Sequence, residues 1–205
     1  MAISLPNRKN IDSLFPKAGI QEIRRNYEIC RTEFQTGDLI FFSGNHWLSN
    51  LIRIRSKGTW SHVGIVVKLD EIDRVFLAES ILEVGVRLIP LSFIIKDYDG
   101  HNHAYNGRVG WARFKNLDLN KALIIKQFAL DNLTKQYDRK EYWRILWRTI
   151  VGKRKVFHDT KYTCSEYVHE AYKKAGIYLK YEYGDFISPS AIWNNKEVEM
   201  KGMII

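Results

Sequence analysis

The chain has 205 residues, 45% hydrophobic and 13% aromatic, with 32 Lys plus Arg against 23 Asp plus Glu. This excludes a disordered or low-complexity chain, and the length suits one domain with a substantial core. No apolar run approaches the roughly 18 residues of a membrane-spanning helix. Met1 to Asn10 carries Pro6, Asn7, Arg8 and Lys9 where a signal peptide would be apolar, so the expected location is the cytosol, or outside it by a signal-independent route. The net charge of +9 admits an acidic partner without selecting one. Two cysteines, Cys30 and Cys164, are too few for a disulfide framework or a four-cysteine zinc site.

Asn10 to Arg31 carries Ile11, Leu14, Phe15, Ile20, Ile23 and Tyr27 at mixed helical spacing, broken near Pro16, and residues 1–35 are expected to form a helical arm. Thr36-Gly37-Asp38 marks a turn before a strand over Leu39 to Ser43. A helical stretch, Trp47 to Arg55, precedes the β-branched run His62 to Lys68, which reads as a buried strand. Arg74 to Ser80 is its neighbour across the Asp70 to Asp73 turn, and Gly85 to Leu88 and Val109 to Phe114 are further short strands. From Asn120 the period becomes helical: Leu123, Ile124, Phe128 and Leu133, then Tyr142 to Val151, then Thr163 to Ala175. Helix, several strands, then helices is the order of an α+β domain, here residues 36–205.

Tyr162-Thr163-Cys164-Ser165-Glu166-Tyr167-Val168 carries the most chemistry. Thr163 with Glu166 three residues later is a capping box, which puts Cys164 at the first helical position. Gly176 fits the far end, with Lys173 and Lys174 in the last turn. A thiol there has its thiolate stabilised by unpaired amides, and the same amides can hold an oxyanion. A small buried hydrophobe is the competing reading of the same cysteine. A nucleophile needs a base. His169 lies about 140° round the helix from Cys164 and points elsewhere. His101 and His103 read as a polar loop, His46 as a turn residue, and His158 stands in a loop before the helix. His62 opens an otherwise apolar strand, where backbone rather than a mobile loop holds it.

Gly37-Asp38-Leu39-Ile40-Phe41-Phe42, then Ser61-His62-Val63-Gly64-Ile65-Val66, then Ala78-Glu79-Ser80 resembles the core of NlpC-type papain-like cysteine hydrolases. In that family the Cys-Ser motif stands before these strands. Here Cys164-Ser165 follows them, as in the circularly permuted YiiX/YaeF-like branch, with lecithin-retinol-acyltransferase-like proteins as cousins. Tyr137-Asp138 and Ser188-Pro189-Ser190 resemble further signposts of that branch. The resemblance implies a papain-like fold in permuted order, a small antiparallel sheet or half-barrel packed against helices. It also implies Cys164 as nucleophile, His62 as general base and Glu79 as the residue fixing the imidazole tautomer, with Glu83 the rival for that last role. Tyr137 would match an additional active-site tyrosine helping an oxyanion, or else pack in the core.

Lys140, Arg144 and Arg148 recur every four residues beside Trp143, Trp147 and Ile150, and Lys153-Arg154-Lys155 follows. This suits an anionic membrane surface, and equally a helix with core tryptophans and a solvated basic face. No nucleic-acid reader motif accompanies the charge. The expected activity is a thiol-dependent hydrolase that cleaves an amide or ester through an acyl-enzyme, on a peptide or lipid-like substrate. An acyltransferase using the same residues, and a non-catalytic lipid- or membrane-binding module, are the alternatives. No metal or organic cofactor is implied.

Overall fold

The computed structural model describes residues 24–44, 58–97, 100, 102–136, 163–179 and 187–205. Among them, seven strands form one sheet: β1 (Arg24–Arg25), β2 (Leu39–Gly44), β3 (His62–Leu69), β4 (Arg74–Ile81), β5 (Gly85–Pro90), β6 (Gly107–Phe114) and β7 (Val198–Ile204). Their order is β1-β7-β6-β2-β3-β4-β5, antiparallel throughout except for the β1–β7 edge pair. The helices are α1 (Tyr27–Cys30), α2 (Leu91–Lys96), α3 (Leu119–Asp131), α4 (Cys164–Lys174) and α5 (Pro189–Trp193).

The central strands read as continuous apolar runs because both faces of the sheet are covered. On one face Leu39, Phe41, Val63, Ile65, Val67 and Ala78 meet Ile125 and Ala129 of α3 and Tyr167, Val168, Ala171 and Tyr172 of α4. On the other face Ile40, Phe42, Val66, Val75 and Leu77 meet Tyr27 and Cys30 of α1 and Leu91, Ile94 and Ile95 of α2. Alternation along each strand sends successive side chains to opposite cores. This fixes register, because a one-residue slip would exchange the two faces.

Asp38 anchors the start of β2. Its fully buried carboxylate accepts from Trp111 Nε1 at 2.9 Å, from Arg113 Nη2 at 2.8 Å and from the Gln35 amide at 2.9 Å. Gly37 turns the chain into it with φ +88°, where a Cβ would strike Leu117.

The strands expected at 39–43, 62–68, 74–80, 85–88 and 109–114 are all present, as are helices over the expected Asn120 and Thr163 stretches. The described part of the N-terminal arm differs from expectation. Arg24–Arg25 pairs parallel with the last strand, and α1 lasts four residues after its Asn26 cap. Tyr27, Cys30 and Phe34 are buried in the second core, so packing against the sheet overrides the mixed helical spacing. The helices expected over Trp47 to Arg55 and Tyr142 to Val151 lie outside the described residues. No helix among the described residues is long and apolar enough to cross a membrane.

Candidate active site

Helix α4 begins as its sequence requires. The Glu166 carboxylate accepts the Thr163 N–H at 2.8 Å, and the Thr163 hydroxyl accepts the Glu166 N–H at 3.4 Å. That reciprocal pair leaves the amides of Cys164 and Ser165 as first-turn donors for which the helix itself has no carbonyl. At the far end Gly176 takes φ +76°. The Tyr167 hydroxyl donates to the Ala129 carbonyl at 3.1 Å, fastening α4 to α3. Cys164 is buried, 8% exposed, and its sulfur lies 3.8 Å from the Ser165 hydroxyl.

The sheet opens to receive that sulfur. The β3–β4 ladder ends where Ile65 pairs with Ala78. Val66 exchanges hydrogen bonds with the start of β2, through its N–H to Asp38 and its carbonyl to Gly37. By the two-residue period the Val63 N–H therefore faces the β4 side. No β4 residue pairs with it there, and the Val63 amide is among the groups that favour the Cys164 thiolate.

His62, one residue earlier, stands on the opposite face of the sheet from Val63, its ring 5.8 Å from that of Phe42. Glu79 lies on that same face of β4, 2% exposed. His62 Nε2 donates to Glu79 Oε2 at 2.6 Å, which leaves Nδ1 to meet the Cys164 thiol. His62 keeps 24% of its side chain open to solvent. The segment leading into His62 is held by α5. The Ser190 hydroxyl accepts the Trp60 N–H at 3.0 Å, and Trp60 packs on Trp193 with ring centroids 4.7 Å apart. Ser188 caps α5 through the Ala191 N–H at 3.0 Å.

The electrostatics follow from burial working against pairing. Burial alone would push His62 down, but the neighbouring Cys164 thiolate and the Glu79 carboxylate raise it to about 10. Burial would push Cys164 up, yet the imidazolium beside it and the Ser165 and Val63 donors leave it below an ordinary thiol. Burial likewise opposes ionisation of Glu79, and His62 and Arg87 outweigh it, so its carboxyl lies below the usual range. A thiolate–imidazolium pair backed by a carboxylate is a nucleophile already charged, with a proton positioned for a leaving group.

The structure thus brings Cys164, His62 and Glu79 together. Glu83 is exposed in the turn between β4 and β5, and the carboxylate bonded to the imidazole is that of Glu79. His169 is buried on α4 beside Glu170, and His103 Nδ1 lies 3.0 Å from the Ala104 carbonyl oxygen. Tyr137, the Lys140, Trp143, Arg144, Trp147 and Arg148 face, and His46, His101 and His158 lie outside the described residues. Sequence reasoning missed Arg87, whose Nε donates to Glu79 Oε1 at 2.8 Å. The signal was the hairpin itself. Ile81 opposite Gly85 closes a three-residue turn, and that register sets Glu79 opposite Arg87. Both cysteines are free thiols, and Cys30 is buried in the second core. Among the described residues no group of three or more His, Cys, Asp or Glu side chains could hold a metal ion.

A cysteine at a helix start, set against a histidine on a following sheet, defines a papain-like fold. Here the helix comes after the strands, which makes the order permuted. The chain belongs to the family of permuted papain-like amidases, YaeF/YiiX, C92, whose model matches residues 33–184. Its fold is similar to the crystal structure of the metalloprotein YiiX from Escherichia coli O157:H7. The TM-score is 0.60 at 20% identity, covering 81% of this chain and 95% of that one. Comparison with curated proteins gave no match.

Proposed function

We propose that this protein is a thiol hydrolase that cleaves an amide or ester bond, with Cys164 as nucleophile, His62 as acid and base, and Glu79 orienting the imidazole. The observation that carries the reading is His62 between two partners, Nε2 on the buried Glu79 carboxylate and the ring against the Cys164 thiol. Membership of an amidase family supports it.

The thiolate of Cys164 attacks the carbonyl carbon, and the carbonyl oxygen becomes an oxyanion beside the first-turn amides of α4. As that intermediate collapses, imidazolium Nδ1 gives its proton to the leaving amine or alcohol, and a thioester joins the acyl group to Cys164. Water then enters. Neutral His62 takes its proton, hydroxide adds to the thioester carbonyl, and Cys164 departs as thiolate while the acid is released. Throughout, Glu79 remains an anion accepting from Nε2–H, which keeps Nδ1 turned to the sulfur. His62 spends both ring nitrogens on Glu79 and Cys164, so this donor set does not fit a resident metal ion such as the description of YiiX as a metalloprotein implies.

Intact-mass measurement on mixing with p-nitrophenyl acyl esters tests this step. The acyl increment should appear on Cys164, decay with the release of acid, and be missing from Cys164→Ala. Hydrolysis that survives Cys164→Ala would overturn the reading. Loss of the acyl group to an added amine instead of water would make the protein an acyltransferase.

A further inference from the structure

We infer that Arg87 is a positioning residue of this site, holding Glu79 ionised and aimed at His62; this rests on the catalytic reading above. The geometry is a built relay across two strands. Glu79 and Arg87 are directly opposed in the β4–β5 ladder and share a face of the sheet. Arg87 places two nitrogens on one carboxylate oxygen, Nε at 2.8 Å and Nη2 at 2.7 Å from Oε1. The other oxygen, Oε2, is left for His62.

A carboxylate that is 97% buried at its side chain and opposed only by an imidazole would gain by taking up a proton. A neutral Glu79 could donate to the imidazole or rotate away, and either change would release the ring from the thiol. The charged and titratable groups facing Glu79, among the described residues, are His62 from β3 and Arg87 from β5. The relay then continues from His62 to Cys164 on α4. With Arg87 present the cluster holds two cations and two anions, so the thiolate–imidazolium pair forms without leaving a buried excess charge.

Arg87 is itself fixed from behind. Gly85 has φ +90°, and a Cβ there would stand 2.2 Å from the Lys135 carbonyl. The adjacent Val86 N–H donates to that carbonyl at 2.8 Å, and the Thr134 N–H donates to the Val86 carbonyl at 3.0 Å. The turn after α3 thus clasps β5 one residue before Arg87.

The test is the pH dependence of Cys164 alkylation by iodoacetamide in the full chain, read by peptide mass spectrometry so that no substrate is needed. Removing the cation raises every protonation step of the cluster, so in Arg87→Met the acid limb should move up by about one pH unit, the low end of what a neighbouring charge does. Arg87→Lys, which restores the charge, should recover more than half of that shift. Should Arg87→Met not fold, Arg87→Gln keeps a donor for Oε1 without the charge and is expected to move the limb the same way. A folded neutral variant whose limb coincides with wild type would overturn the assignment, since a merely structural arginine leaves the thiol's titration alone. His62→Ala run alongside separates the two failures. If His62→Ala also leaves the limb in place, the catalytic reading itself falls. If it moves the limb and the neutral Arg87 variants do not, only the assignment of Arg87 falls.

Discussion

His62 has a shifted value that can be followed directly. Its imidazolium should persist to about 10 in an NMR titration of the wild type. In Cys164→Ala the midpoint should fall, because the thiolate is the largest influence raising it against burial. An unchanged midpoint would mean that Glu79 alone sets the ring's charge. The same values bear on stability. A raised histidine contributes in full below its unfolded value of 6.5 and loses that contribution as pH rises through about 10. A lowered thiol contributes in full above 9.0, and that share goes as pH falls through its folded value. Just below pH 9.0 these two slopes oppose each other. Above it only the histidine's remains. The urea-midpoint difference between wild type and the Cys164→Ala/His62→Gln double variant should therefore be level just below pH 9.0 and decline from there through about 10. On activity, His62→Ala should lower turnover of an activated ester by about 10²- to 10⁴-fold, the usual worth of a positioned acid–base group.

At the scale of elements, α4 was the most legible part of the chain. Thr163, Glu166 and Gly176 are local signals, and the helix starts and stops where they say. Thr163→Ala should cost about 1 kcal/mol in chemical denaturation, the usual worth of a lost cap. The middle strands were legible because Leu39 to Phe42 and His62 to Lys68 are dense in apolar and β-branched residues. The edges were not. β7 runs Val198–Ile204 with Gly202 inside it and a bulge at Lys201, between the partners of Trp111 and Ala112, and it earns its place by pairing with a strand far away in sequence. β1 has two residues, too few for any periodicity, and α2 has six directly after Pro90. Arg87 was hidden for a related reason. Its meaning depends on which residue lies across the hairpin, and composition does not show that. Gly85→Ala tests the clasp behind it: strain at a positive φ together with the Lys135 clash should lower stability by about 1–3 kcal/mol, measured by urea unfolding.

At the scale of the whole molecule, one sheet carries two cores, and the site lies where it changes hands. Cys164 arrives with the helices of one face, while His62 and Glu79 belong to the other, and they meet where the β3–β4 ladder stops. Permutation changes which end of the chain supplies the cysteine helix and leaves this meeting point intact. Holding β2 in register is therefore a condition for the site, and Asp38 with Trp111 and Arg113 does so from the far end of that strand. Asp38→Ala should cost about 3 kcal/mol, the lower end for breaking a buried ion pair because Arg113 keeps some solvent contact. The measurement that bears most directly on the central claim is the alkylation rate of Cys164 against pH, with Cys30 as internal control and His62→Ala beside the wild type. Cys30 is held above an ordinary thiol by burial and should stay unreactive near neutrality. Cys164 is expected to react well below the normal thiol range and to lose that reactivity without His62. Two cysteines titrating alike, and indifferent to His62→Ala, would contradict the ion pair and with it the enzyme.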